Sequence, residues 1–121
     1  MKNTLTPTTE AHLQASCVIW FKNTYRPLRQ LLYMVHNDGN KNPIQASQDI
    51  ARGLTKGWPD LNLDIPAGGY HGLRIEMKKP GEKPEPHQIE IHELLRSKGY
   101  QVIVIDNLED FKSAITNYLS S

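Results

Sequence analysis

The chain has 121 residues, 38% of them apolar and 22% charged, with a net charge of +1. That length suits one compact domain spanning residues 1–121, not two, and the balance is that of an ordinary globular protein rather than a strongly basic nucleic-acid coat. No apolar run reaches the roughly 20 residues of a membrane span, and the single cysteine, Cys17, excludes an internal disulfide.

Met1-Lys2-Asn3-Thr4 leads into polar residues without an apolar signal-peptide core. With Cys17 this fits a reducing compartment, and a cytoplasmic location is expected. The spacing predicts a first helix over 7–23, with Thr6 as N-cap and Pro7 at its first position. Leu13, Cys17, Trp20 and Phe21 form its inward stripe, and Glu10 borders that face. Residues 31–36 read as a strand and 37–40 as a turn. A weakly apolar helix is expected over 43–52, stopped by Gly53.

Residues 60–65 alternate strictly, with Leu61, Leu63 and Ile65 opposed to Asp60, Asn62 and Asp64. After a turn at Pro66-Ala67-Gly68-Gly69, residues 72–78 alternate again, with Leu73, Ile75 and Met77 opposed to Arg74, Glu76 and Lys78. The two runs predict a hairpin. Pairing Ile65 with Gly72 would bring Asp60 opposite or next to Glu76 and Met77. A proline-rich charged loop follows. A helix is then expected over 87–98, with Ile91, Leu94 and Leu95 inward, and His12 and His92 are expected on exposed helix faces. Residues 101–105 are the clearest buried strand, and Asn107 caps a last helix with Phe111, Ala114, Ile115, Tyr118 and Leu119 inward. The order predicts an α/β fold: one mixed sheet flanked by helices.

Chemistry gathers at Pro59-Asp60-Leu61 and Ile75-Glu76-Met77-Lys78. Glu76 and Lys78 lie two apart on a strand, so they share a face about 7 Å apart. The hairpin adds the Asp60 carboxylate. Two carboxylates and an ammonium suit a hard cation such as Mg²⁺, and that set can hydrolyse a phosphodiester. A lone Glu-x-Lys on a strand is more often an exposed ion pair; the combination with Asp60, Glu10 and Gln88 is what sets this one apart. Lysines crowd around 78–83 and 41–56, where they could track phosphates or simply be solvated. His36, His71 and His87 lie near the expected site or its flanking turns. Trp58 could stack on a base, with core packing the simpler reading, and Asp64 and Asp106 are expected as a solvent-facing strand residue and a loop residue.

From about Thr8 to Leu119 the chain resembles a stand-alone VRR-type nuclease domain of the PD-(D/E)xK superfamily. Gly53 through Gly57-Trp58-Pro59-Asp60-Leu61 is similar to that family's G-x-x-x-G-x-P-D-L string. Gly72 through Lys78 is similar to its G-L-x-I-E-x-K strand, and Gln88 matches the glutamine that follows. Glu10 to Trp20 resembles the first helix, and Gly99-Tyr100-Gln101-Val102 the entry to the last strand. His36-Asn37-Asp38-Gly39 resembles the P-N-G-G turn but departs from it at His36 and Asp38.

The resemblance implies a restriction-endonuclease-like core. It implies Asp60, Glu76 and the Met77 carbonyl as ligands of Mg²⁺ (Mn²⁺ in its place), and Glu10 as a ligand directly or through water. It implies Lys78 as the catalytic lysine and Gln88 as its support or a phosphate contact. Lys79, Lys41, Lys56 and Asn37 are expected on DNA. A metal-dependent endonuclease follows, acting as a homodimer on branched, flapped or Holliday-junction DNA, without a membrane role. The competing expectation is a module that binds nucleic acid without cutting it, or a subunit that needs a partner.

Overall fold

A computed structural model describes residues 9–35 and 42–121. Helix α1 (Glu10–Thr24) leads through a 3-10 segment (Arg26–Leu31) to strand β1 (Leu32–Met34). Helix α2 (Pro43–Ala51), strands β2 (Leu61–Leu63) and β3 (Leu73–Met77), helix α3 (Pro86–Ser97), strand β4 (Gln101–Ile105) and helix α4 (Leu108–Ser120) follow. The strands form one mixed sheet in the order β1-β2-β3-β4, with the first two pairings antiparallel and the last parallel. This is the α/β architecture expected from the sequence. No helix among the described residues is long and apolar enough to cross a membrane.

Local chemistry sets the boundaries. Thr9 is extended, and its Oγ1 accepts from the His12 N–H at 3.1 Å, so α1 begins at Glu10 rather than at residue 7. The Thr6 and Pro7 of the expected start lie outside the described residues. Asn42 and Asn107 cap α2 and α4 through their side-chain oxygens at 2.8 Å. Pro27 opens the 3-10 segment, so the first strand starts one residue later than expected.

One face of the sheet carries Leu61, Leu63, Leu73, Ile75 and Met77, all fully buried. They pack with Leu13, Cys17 and Phe21 of α1 and with Phe111, Ile115 and Tyr118 of α4. The opposite face carries Asn62, Arg74, Glu76 and Lys78, and it is buried too, at 8% exposure or less. Helix α3 packs along β4 and lays polar residues over that face. Hence its buried stripe runs through His92 and Leu95, and Leu94, expected inward, is 54% exposed. A helix that covers polar sheet residues must itself turn polar groups inward, because buried donors and acceptors need partners.

The hairpin ladder runs one residue out of step with the expected one: Leu63, not Ile65, ends it, opposite Leu73. The difference comes from the connection. Ala67 and Tyr70 exchange two backbone bonds around Gly68 and Gly69, whose φ values of 59° and 86° suit a tight primed turn. Arg74 closes the far end of the polar face. Its guanidinium pairs with Asp64 at 3.0 Å and lies 4.6 Å from the Tyr100 ring centroid.

Gly57 sits where α3 meets the turn that leads into Asp60. Its φ is +86°, and a Cβ there would lie 2.8 Å from the His87 ring and 3.2 Å from the His87 carbonyl oxygen. Gly53 also has a positive φ but open space around it. Gly57→Ala is therefore expected to lower the melting temperature more than Gly53→Ala, which carries only the backbone strain of about 1–3 kcal/mol. Equal melting temperatures for the two variants would show that the His87 contact gives way freely.

Candidate active site

The register of β2 and β3 sets Asp60 level with Glu76, one step beyond the Leu61–Ile75 pair. Asp60 reaches further: its Oδ2 accepts the Met77 N–H at 2.7 Å. A short bond to a main-chain donor fixes that carboxylate to the next strand. Glu76 is 2% exposed. Its Oε2 accepts from Gln88 Nε2 at 3.0 Å, and its Oε1 lies 3.1 Å from His92 Nε2. Gln88 is in turn held by its own helix, because its Oε1 accepts the Glu85 N–H at 2.7 Å in a capping box.

The electrostatics are those of crowded, dry acids. Burial pushes the Glu76 carboxyl up to about 9, helped by the charge of Asp60 and a hydrogen bond with it, while Lys78 pulls it back. Glu10, in the first turn of α1, is also raised, first by burial and then by Asp60 and Glu82, with Lys78 opposing. Lys78 is 8% exposed, and its backbone N–H is tied to the Ile105 carbonyl at 2.9 Å. Burial lowers the pKa of His92 first, with Arg96 and Lys78 adding to it. Asp60 opposes the shift, and the net effect favours the neutral imidazole.

Two chain-distant carboxylates, a third on α1 and a buried ammonium thus meet at one end of the sheet. Crowded carboxyls of this kind are relieved by a proton or by a cation in its place, and the donors are hard oxygens of the kind Mg²⁺ and Mn²⁺ take. Among the described residues no three His, Cys, Asp or Glu side chains gather tightly enough to hold a metal alone. Asp60 and Glu76 would therefore share such an ion with a main-chain oxygen and water, which Mg²⁺ tolerates well.

Several expectations resolve differently. His92 is buried against Glu76, not exposed; it lies four residues after Gln88 on one helix face, a spacing that would have revealed it. His71 belongs to the opposite end of β3, where its N–H donates to the Gly99 carbonyl and its ring packs near Tyr100. His12 and His87 are exposed, the latter against Gly57. Trp58 is half-buried and donates to Asn62 Oδ1 at 3.0 Å, the packing reading. Asp64 faces solvent in part and pairs with Arg74. Lys79 and Lys56 are exposed. Asn37 and Lys41, with the rest of the turn 36–40, lie outside the described residues.

Glu82 was not legible as a neighbour of the site. The Lys79-Pro80-Gly81-Glu82 turn, closed by a 3.0 Å bond from Glu82 N–H to the Lys79 carbonyl, folds it back toward Glu10. The Pro-Gly pair just after Lys78 was the available signal.

The VRR-NUC domain family model matches residues 5–107. A solved structure described as "VRR_NUC domain protein" is 32% identical, with a TM-score of 0.82 over 96% of this chain and 92% of that one. A second, described as "VRR_NUC domain", shares the fold at 24% identity and a TM-score of 0.57, over 90% and 96% of the two chains. Among curated proteins, "Putative nuclease p44" of Acyrthosiphon pisum secondary endosymbiont phage 1 is 40% identical over 60 residues. That stretch is 50% of this chain and 61% of the length of the phage protein.

Proposed function

This chain belongs to the VRR-NUC domain family, and from that membership we propose that it is a divalent-cation-dependent DNA endonuclease selective for branched or flapped structures. The observation that carries the reading is the pairing of half-buried Asp60 with buried Glu76 beside Lys78, with Asp60 pinned by the Met77 N–H.

Asp60, Glu76 and the Met77 carbonyl would hold Mg²⁺ or Mn²⁺, with Glu10 joining directly or through water. Bound there, such an ion polarises a phosphate oxygen and makes water a competent nucleophile at neutral pH. The protein's own part is positional and electrostatic. The Met77 N–H holds Asp60 at a fixed distance from Glu76. Gln88 keeps one oxygen of Glu76 in place and is itself locked by Glu85. Lys78 brings a positive charge into a site with little water, where it steadies charge growing on the phosphate and orients the attacking water. Lys79 and Lys56, with Lys41 and Asn37, would track the DNA backbone. A homodimer would set two such sites about one axis and so cut both strands of a junction.

The test is cleavage of labelled linear duplex, single strand, 5′-flap, nicked and four-way-junction DNA, with Mg²⁺, Mn²⁺ or EDTA. The expected result is cleavage of the branched substrates, absent in EDTA. Binding of every substrate without cleavage of any would replace this reading with that of a silent binding module or a subunit in need of a partner.

A further inference from the structure

We infer that His92 is a positioning residue for the cation site: with Gln88 it clamps both oxygens of Glu76 and so sets the plane of that carboxylate. The inference rests on the reading of Glu76 as a metal ligand and adds a residue to it.

Glu76 arrives from β3 and both of its partners from α3. Gln88 and His92 are four residues apart, so they stand one above the other on the same side of that helix. Gln88 Nε2 lies 3.0 Å from one carboxylate oxygen and His92 Nε2 lies 3.1 Å from the other. A carboxylate held by one donor still turns about its last torsion, which for Glu is broad and soft. Held through both oxygens, it does not turn. Each oxygen has two lone pairs, so once an ion displaces the carboxyl proton and its hydrogen bond with Asp60, one donor apiece leaves one acceptor site on each oxygen for it. His92 is 3% exposed and Glu76 is 2% exposed, so water cannot stand in for a lost donor.

Helix α3 therefore does more than cover the sheet. Its capping box fixes Gln88, its next turn carries His92, and Leu95 beyond it is buried. With the proton of the neutral imidazole on Nε2, the helix is a rigid bracket that presents two donors at a set spacing. Groups that support a ligating side chain in this way typically change metal affinity by 10–100-fold when removed.

The test uses the full chain, without DNA, and reads Mn²⁺ affinity by calorimetry. His92→Met keeps the volume and removes the donor; His92→Gln keeps a donor at similar reach; His92→Asn keeps one that falls short by a methylene. The expected result is a 10–100-fold loss of Mn²⁺ affinity for His92→Met and His92→Asn, with His92→Gln close to the parent. In cleavage assays the same variants should need more metal but approach the parental rate at saturation, a split that a residue acting on the phosphate would not give. Equal losses in His92→Gln and His92→Asn, or parental affinity in His92→Met, would overturn the inference. Should His92→Met fail to fold, as judged by circular dichroism, the Gln and Asn variants decide alone. Asp60→Asn separates the levels. If it leaves Mn²⁺ affinity unchanged, the ligand reading of the site fails; if it abolishes binding while His92→Asn does not weaken it, only the role of His92 falls.

Discussion

Lys78→Ala is expected to lower the rate of DNA cleavage by roughly 10²–10⁴-fold, the usual scale for a positioned acid–base or charge-stabilising side chain, without weakening the binding of Mn²⁺. The second half of that expectation follows from the field around the lysine. Its charge pulls down the pKa values of both Glu10 and Glu76. Removing it takes away a positive charge that repels the ion, so above the pH at which the carboxyls ionise the cation should bind at least as tightly as before. A ligand mutation does the reverse: it loses the ion first and the rate as a consequence. Lys78→Arg sharpens the point. The guanidinium keeps the charge but is larger, planar and never deprotonated, and the native side chain is only 8% exposed. It is expected to recover less than a tenth of the parental rate. Single-turnover cleavage at saturating Mn²⁺, read beside calorimetry, checks all three. Weakened Mn²⁺ binding in Lys78→Ala would mean that the lysine holds the site together and does not act in the reaction.

The centre of this site was readable because its elements are local and periodic. The alternation of residues 60–65 and 72–78 predicts a hairpin with an apolar face, and either the expected pairing of Ile65 with Gly72 or the observed one, a residue over, brings Asp60 beside Glu76 and Met77. What could not be read depends on α3. Ile91, Leu94 and Leu95 look like the inward stripe if the helix covers an apolar surface. It packs along β4 and meets the polar Glu76 instead, so its buried residues are His92 and Leu95, with Gln88 half-buried, and Leu94 turns out to solvent. Hydrophobic periodicity finds the face of a helix only when the opposing face is apolar. Glu82 escaped for a related reason: a Pro-Gly turn decides where it goes, and the destination is set by α1, more than seventy residues earlier in the chain.

The metal-free protein is expected to lose stability as the pH rises from about 7 to about 9, and Mg²⁺ is expected to restore it most at the high end. In the fold, Glu76 holds its proton up to about 9, whereas its ordinary value is 4.5. Between those values the native state keeps a proton that the unfolded chain releases. The stability this group contributes is therefore complete below the unfolded value and is lost as the pH climbs through the folded one. His92 has the opposite sign. Its pKa is lowered from 6.5, so it costs stability only below that value, and above pH 7 Glu76 stands alone of the two. A divalent cation replaces the proton, so its apparent affinity should rise by up to about tenfold per pH unit over the same range, and the melting temperature should rise with it by mass action. Glu76→Gln removes the titration while keeping the shape. The neutral His92 can present either a donor or an acceptor to the new amide. That variant is expected to melt higher than the metal-free parent at pH 9, to show a flatter pH profile and to gain nothing from Mg²⁺, while losing cleavage. Melting curves of parent and Glu76→Gln at pH 5, 7 and 9, with and without Mg²⁺, check these outcomes. A metal-free parent whose melting temperature is unchanged from pH 7 to 9 would show that Glu76 is ionised in the fold, and that the cation is not needed to relieve it.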